Sequence, residues 1–175
     1  MVNGPVTLDL KLLPLIRTPG DAAKLQAAHE ATPKYSWSVS GGPPDSSDGQ
    51  GTLDVLPPGA GYDKKFVYGV HLNTEMIGGV DLIRGWPHSD TAMLGLLFIV
   101  EDYQGRGLGR LSYDLTEALV RRWKEINRIR IGIVESNISA FGFWKRLGFI
   151  DTGERKAHEC GRCVSTTWIF QKEIT

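Results

Sequence analysis

The chain has 175 residues, of which 41% are hydrophobic and 23% charged, a composition typical of one globular domain. Its 20 basic and 20 acidic side chains cancel, so the overall charge does not indicate binding to nucleic acid or to an anionic membrane. No apolar run approaches the roughly 20 residues that span a bilayer, and the N-terminus lacks the features of a signal peptide. We therefore expect a cytoplasmic protein with a single domain over residues 1–175.

The first third of the chain predicts a strand, a helix and a long loop. Residues 8–17, LDLKLLPLIR, alternate enough to form a strand. Asp21 is a candidate N-cap for a helix over residues 22–31, with Pro19–Gly20 breaking the chain just before it. Residues 40–61 are rich in Gly, Pro, Ser and Asp, and long loops of this kind tend to be functional or disordered.

Three strands and a helix are predicted in the middle of the chain. Residues 64–72 and 75–86 are strand-like runs separated by an Asn-Thr pair, which predicts a hairpin. Residues 91–100, TAMLGLLFIV, are apolar at consecutive positions, as expected of a central strand covered on both faces. From Leu108 to Trp123 the apolar residues recur on one face, which predicts an amphipathic helix.

The last third predicts a strand, a short helix and a closing hairpin. The strand is RIRIGIV, residues 128–134, in which isoleucines alternate. Asn137 or Ser139 can cap the helix that follows, and Gly148 is placed to end it. Two final strand-like runs then form the hairpin. This order of elements predicts an α+β (α/β mixed) fold built on a mixed sheet.

Two cysteines, Cys160 and Cys163, form a single CxxC. A zinc site needs two further ligands, and there is no second CxxC although His158 lies nearby. A redox CxxC normally opens a helix after a strand, whereas this pair lies in a Gly-containing turn between strand-like runs. We therefore expect two thiols in a hairpin and no metal, with a redox or metal role as the alternative.

The stretch EDYQGRGLGR, residues 101–110, places three glycines and two arginines between a predicted strand and a predicted helix. The first turn of a helix has unpaired N–H groups that favour an anion, and glycines let a phosphate approach the backbone closely. Arg106 and Arg110 can add charge-assisted hydrogen bonds. The dinucleotide pattern fails because Arg110 stands at its last position, and a P-loop ending is absent. The stretch therefore predicts an anion site, with a tight connection that binds nothing as the alternative.

The residues Gln104, Gly107 and Gly109 resemble the Q/R-x-x-G-x-G/A signature of the GNAT superfamily of N-acetyltransferases, whose loop binds the pyrophosphate of acetyl-CoA. About thirty residues on, a second segment resembles the family's N-x-x-A-x-x-F-Y-x-K-x-G-F pattern. Its matching residues are Asn137, Ala140, Phe143, Trp144, Leu147, Gly148 and Phe149. The resemblance implies a central, largely antiparallel twisted sheet with a splayed middle strand pair and helices on both faces.

The resemblance also implies that acetyl-CoA is the cosubstrate and that no metal is needed. The main chain of residues 98–100 would bind pantetheine, an N–H near Val100 would polarise the thioester carbonyl, and residues 105–110 would bind the pyrophosphate. The cofactor-binding residues implied are Phe98, Ile99, Val100, Gln104, Gly105, Arg106, Gly107, Leu108, Gly109, Arg110, Asn137, Phe143, Trp144 and Arg146. Arg146 stands where the family usually has Lys. It either contacts a CoA phosphate or is a solvated charge on the helix surface.

The chemistry that the resemblance implies is direct attack of a neutral amine on the acetyl carbon, with a thiolate leaving. Trp144 stands where the family often has a Tyr that protonates the thiolate, and an indole N–H does not readily give up its proton. Met93 stands near the position where some relatives carry an acidic base. The remaining candidates for the base are Asp81, His88, Asp90 and Glu135. Each of these four can instead be a surface or helix-capping residue without a catalytic role. Ordered water is a further alternative as the carrier of the proton.

We expect the acceptor to be a primary amine of a small molecule or peptide, placed opposite the cofactor between the first helix, the 40–61 loop and the last hairpin. Three loop carboxylates and two aromatic residues upstream can hold a cation, or they are solvated. They are Asp45, Asp48, Asp54, Tyr35 and Trp37. The alternative functions are a non-catalytic acyl-CoA-binding regulatory module and transfer to a hydroxyl. The resemblance leaves open a homodimer formed through the C-terminal strands.

Overall fold

The computed structural model describes residues 9–174, and this part of the chain forms seven strands and five helices. The strands are β1 (Leu10–Leu15), β2 (Lys65–Leu72), β3 (Glu75–Arg84), β4 (Thr91–Ile99), β5 (Arg128–Val134), β6 (Ile150–Cys160) and β7 (Cys163–Glu173). The helices are α1 (Pro19–Glu30), α2 (Pro33–Ser40), α3 (Asp48–Asp54), α4 (Leu108–Val120) and α5 (Ile138–Arg146). The first strand was expected to begin at Leu8, which lies outside the described residues. So does the N-terminal segment from which we expected no signal peptide.

All seven strands form one sheet in the order β1-β2-β3-β4-β5-β7-β6. Neighbouring strands are antiparallel except for β4 and β5, which are parallel. These two strands pair only where Thr91–Met93 faces Arg128–Arg130, and beyond this point they separate. The predicted fold class, a largely antiparallel sheet with a splayed middle pair, is therefore confirmed.

Helices cover both faces of the sheet. Successive residues of a strand point to opposite faces, and accordingly Val67 of β2 packs in a small core with α1 and α3, whereas Phe66 and Tyr68 pack against the larger core. The larger core includes the fully buried Tyr113 of α4 and the nearly buried Trp144 of α5. The helices on these two faces meet at the point where β4 and β5 separate, and a cavity lies there.

Helix α1 begins earlier than the sequence predicted. Its N-cap is Thr18, whose side chain accepts a hydrogen bond from the N–H of Asp21 at 3.2 Å. Pro19–Gly20 forms the start of the helix instead of interrupting the chain, because proline has no N–H to satisfy in the first turn. The Asp21 carboxylate accepts instead from the N–H of Ile16, at 2.9 Å, so the expectation that Asp21 is the N-cap was wrong.

The segment from 40 to 61, expected to be a long loop, contains the helix α3. Its Leu53 is buried in the small core against α1. Gly49 permits this contact, because a Cβ atom there would lie 2.3 Å from the carbonyl oxygen of Ala22. A glycine that suggested a loop by composition therefore serves close packing between two helices.

The β6–β7 hairpin carries both cysteines next to its turn, as expected. Cys160 and Cys163 are cross-strand partners, and both thiols are free. The imidazole of His158 donates to the carbonyl of Val39, at 2.6 Å, so the hairpin contacts α2. Residues 9–174 contain no cluster of three or more His, Cys, Asp or Glu suited to a metal ion. None of the helices in this range is long and apolar enough to span a membrane.

Candidate functional site

A cavity of about 670 Å³ lies where β4 and β5 separate, within the size range of small-molecule sites. Residues 94–99 of β4 form one wall and residues 131–134 of β5 form the other. The start of α4, the inner face of α5 and helix α2 with Thr32 before it complete the cavity. The splayed strand pair thus produces the cavity.

The edge of β4 that faces the cavity carries main-chain hydrogen-bonding groups. The N–H of Val100 donates to the carbonyl of Ile77 at 2.9 Å, so Val100 points toward β3. Because the direction of these groups alternates along a strand, the N–H and C=O of Leu97 and Ile99 point away from β3. The side-chain amide of Gln104 donates to the Ile99 carbonyl at 2.7 Å, in agreement with this direction. The groups near Val100 that can meet a ligand therefore belong to Leu97 and Ile99.

A β-bulge interrupts β4 beside the cavity. Asp81 pairs with Leu96 and the next β3 residue, Leu82, pairs with Leu94, so Gly95 is the extra residue of β4. Gly95 of β4 and Gly132 of β5 are both exposed and both line the cavity. Two glycines therefore leave the backbone uncovered where the strands part.

The glycine-rich loop leads into the first turn of α4. Gly105 and Gly107 have φ of +75° and +78°, a conformation that other residues rarely adopt. Gly107 is the N-cap of α4, and no side chain caps the helix. The first N–H groups of any helix have no acceptor within it, and Gly107 has no side chain to supply one. The loop therefore presents a helix N-terminus, with its partial positive charge, at the cavity mouth.

The cations predicted around this loop differ in position. Arg110 and Arg146 line the cavity, and the Nε of Arg110 lies 3.2 Å from the Asp114 carboxylate. The guanidinium of Arg106 lies 5.4 Å from the centre of the Tyr103 ring, outside the cavity lining. Leu108 is buried in the core, so only its main chain is available to a ligand.

Helix α5 contributes Asn137, Phe143, Trp144 and Arg146 to the cavity lining. Trp144 is only 9% exposed and packs edge-on against Phe143 and Phe149, with ring centres 4.9 and 5.1 Å apart. Asn137 is the N-cap of α5 but makes no side-chain capping hydrogen bond, and its Oδ1 accepts from the Ser139 hydroxyl at 3.3 Å. Trp144 is accordingly part of the core wall behind the cavity.

The four candidate bases are not gathered in the cavity lining. His88 and Asp90 lie in the turn between β3 and β4, where Asp90 forms an ion pair with Arg128 at 3.2 Å. Glu135 follows β5 and is exposed. Asp81 lies beneath the bulge of β4, and a Cβ atom at Gly95 would be 3.4 Å from its Oδ2. None of the four is itself in the lining, and Asp81 is the one whose carboxylate lies against the bulge of β4.

Five lining residues were not predicted as cofactor residues: Thr32, which precedes α2, and Lys34, Tyr35, Ser38 and Val39 of α2. Burial raises the pKa of Tyr35 to about 12. The Phe98 ring stacks on both Tyr35 and His29, at 6.5 and 4.8 Å, and burial lowers the pKa of His29. The Thr-Pro pair at 32–33 is a helix-start signal that could have located α2. Trp37 is 57% exposed, and neither it nor Asp45, Asp48 or Asp54 lines the cavity.

Residues 30–149 of the chain match the Acetyltransferase (GNAT) family. This range covers more than half of the sequence and includes the separated strands, the glycine-rich loop and α5. No curated protein sequence gives a significant match.

Solved structures share the whole fold. An acetyltransferase from Thermus thermophilus is 26% identical with a TM-score of 0.75, over 95% of this chain and 98% of that one. The ribosomal-protein-S18-alanine N-acetyltransferase from Escherichia coli is 14% identical with a TM-score of 0.68, over 95% and 94%. The aminoglycoside acetyltransferase AAC(6')-Ib, in complex with coenzyme A, is 17% identical with a TM-score of 0.70, over 94% and 95%.

Proposed function

Because the chain belongs to the GNAT family of acetyltransferases, we propose that it transfers the acetyl group of acetyl-CoA to a primary amine of a small molecule or peptide. One observation carries the proposal. The cavity between β4 and β5 joins an exposed strand edge to an uncapped helix N-terminus. These two features match the two ends of the donor: an amide-rich pantetheine arm and a doubly charged pyrophosphate.

The residues present fit this donor. The first turn of α4 and Arg110 would hold the pyrophosphate, through main-chain N–H groups and charge-assisted hydrogen bonds. The main chain of Leu97 and Ile99 would hold the pantetheine amides as a neighbouring strand does. Asn137 would orient the arm from the other wall. Arg146 lines the same cavity and would add a cation near the phosphates.

The chain's own groups would assist transfer by stabilising charge. Bound acetyl-CoA supplies an activated acetyl group and a thiolate leaving group. An N–H of Leu97 or Ile99 would donate to the thioester oxygen, and a preorganised donor of this kind contributes roughly 10²–10³ in rate. Trp144 is buried and would pack behind the arm. It would not act as an acid, because an indole N–H does not readily give up its proton.

Similarity to other structures supports an amine acceptor without identifying it. By name, one of the similar enzymes acts on the alanine of a ribosomal protein and another on aminoglycosides. Peptide and small-molecule amines are therefore both within the range of this fold, and we propose a primary amine as the shared chemistry.

The proposal is tested by incubating the protein and acetyl-CoA with polyamines, amino acids, aminoglycosides and peptides. Release of CoA with an N-acetylated product, identified by mass spectrometry, is expected for at least one class. CoA binding without turnover on any acceptor would favour the non-catalytic module instead. An O-acetylated product would assign the transfer to a hydroxyl.

A further inference from the structure

Asp81 and Lys65 form an ion pair inside the protein. The Lys65 ammonium donates to both carboxylate oxygens of Asp81, at 2.8 and 2.9 Å, and to the carbonyl of Val55 at 2.9 Å. The side chains of Lys65 and Asp81 are 3% and 16% exposed, respectively. Burying such a pair requires desolvation of both charges, and a stable fold often does as well with apolar residues in its place. Stability alone therefore does not account for this pair.

The Asp81 carboxylate lies next to the bulge of β4, at the border of the cavity. Gly95, the extra residue, is exposed and lines the cavity, and a Cβ atom there would lie 3.4 Å from Oδ2 of Asp81. A larger residue at Gly95 would contact this carboxylate. Pairing of β4 with β5 ends at Met93, so Gly95 lies where the strands begin to separate.

We propose that Asp81 is the base that receives the proton of the acceptor amine, and that Lys65 is the residue that positions it. This inference rests on the proposed acetyl transfer. The acceptor enters as an ammonium ion and passes one proton to the Asp81 carboxylate. The neutral amine then forms the C–N bond as the C–S bond breaks, and the second N–H proton leaves with the thiolate. Asp81 releases its proton to water, so the products are the amide, CoA thiol and one proton.

The surroundings of Asp81 suit this role. Burial raises the pKa of Asp81, and the Lys65 ammonium partly opposes that rise. A carboxyl group with a raised pKa is a stronger base toward an ammonium ion. Among the elements packed on it, β2 presents Lys65, β4 presents Gly95 and Leu96, and the segment after α3 presents the Val55 carbonyl. None of the four candidates is itself in the cavity lining, but the Asp81 carboxylate lies against Gly95, which is.

The first test compares Asp81→Asn with Asp63→Asn, the same change at an exposed position. Two acceptors are used: an alkylamine, which is charged at neutral pH, and an aromatic amine, which is already neutral. We expect Asp81→Asn to lower kcat/KM for the alkylamine by about 10²-fold or more and for the aromatic amine by less than about threefold. The control should change neither, and the Kd for CoA should stay unchanged in both variants.

Asp81→Asn leaves the Lys65 charge without its partner and is expected to reduce stability. The second test therefore also changes Lys65, first alone in Lys65→Met. Loss of the ammonium raises the pKa of Asp81 further, so the acidic limb of the kcat/KM profile should move to higher pH. The double variant Lys65→Met/Asp81→Asn removes the unpaired charge, and we expect it to regain stability without regaining alkylamine activity.

Four results separate the outcomes. Equal losses with both amines, or an acidic limb that stays in place in Lys65→Met, would overturn the role of Asp81 and leave the proposed function standing. Recovery of alkylamine activity in the double variant would likewise show that the pair acts only through stability. Absence of transfer by the unaltered enzyme to any amine would overturn the proposed function, and this inference with it.

Discussion

Gln104 and Ile99 are joined by a hydrogen bond in which the glutamine side-chain amide donates to the main-chain carbonyl at 2.7 Å. The bond ties the glycine-rich loop to the last residue of β4. It therefore fixes the strand edge proposed to bind pantetheine relative to the helix start proposed to bind the pyrophosphate. The first residue of the loop motif thus acts by positioning, without needing to touch the ligand itself.

Replacement of Gln104 tests this link. We expect Gln104→Ala to weaken CoA binding about five- to tenfold, because the net contribution of one hydrogen bond is about 1 kcal/mol. Isothermal titration calorimetry measures the change. Gln50→Ala, which removes an exposed amide bound to Asp54, is the matched control and should leave the Kd unchanged. Equal Kd values in both variants would mean that the loop is held without Gln104.

The glycine at the N-cap of α4 is the second test of the phosphate site. Its φ of +78° is strained for any other residue, and a side chain there would keep a phosphate from the backbone. We expect Gly107→Val to weaken CoA binding at least tenfold, or about 1.4 kcal/mol. Gly20→Val is the control, since a Cβ atom at Gly20 in α1 meets no neighbour within 4 Å. Unchanged binding by the Gly107 variant would place the pyrophosphate elsewhere.

Trp144 is expected to act as a wall and not as an acid. Its ring lies 5.9 Å from that of Tyr113 in an edge-on contact, within a cluster that also includes Phe149. Trp144→Phe keeps an aromatic ring but removes the N–H, so kcat should fall less than about threefold, whereas loss of a general acid would lower it about 10²-fold or more. Steady-state rates between about pH 6 and 9, supported by thermal unfolding, distinguish the two.

Glu117 of α4 is predicted to make the stability of the fold depend on pH. Burial alone would raise the pKa of Glu117, but hydrogen bonds from Lys172, Tyr113 and Arg121 outweigh it and hold the pKa at about 2. A carboxylate with a lowered pKa stabilises the fold above its unfolded value near 4.5, and this stability is lost as the pH falls toward about 2.

We therefore expect Glu117→Gln to lower the free energy of unfolding at neutral pH by on the order of 1–2 kcal/mol, since solvent screens part of the interaction. The difference from the unaltered protein should shrink as the pH is lowered through this window. Urea unfolding at a series of pH values measures it. Glu125→Gln, at an exposed pair with Arg84, serves as the control and should have little effect. A difference that persists at a pH of about 2 would point to packing instead of charge.

Local patterns predicted most of the sheet and the two helices that follow β4 and β5. Alternation and apolar runs located the strands, and Gly148, whose φ is +89°, ends α5 as expected. The same reasoning failed where a tertiary contact decided the structure. The glycines of α3 suggested a loop, but Gly49 lies against the backbone of α1, a contact that the local sequence does not contain.

The candidate site could be predicted where its residues are continuous in sequence, and not where a tertiary contact brings them together. The motif around Gly107 is continuous in sequence, so its residues could be assigned together. Asp81 could be named only as one of four candidate bases, because its approach to Gly95 depends on strand pairing and on a bulge that no periodicity reveals. The direction of the Ile99 main chain follows from the same register.

The most direct test of the account is a crystal structure of the protein with CoA bound. We expect the pyrophosphate against the first turn of α4 at Gly107–Arg110, and the pantetheine arm between β4 and β5 with its amides paired to Leu97 and Ile99. The thiol should then lie near Gly95. A pyrophosphate bound away from α4, or an arm that lies outside the separated strands, would contradict the proposed site.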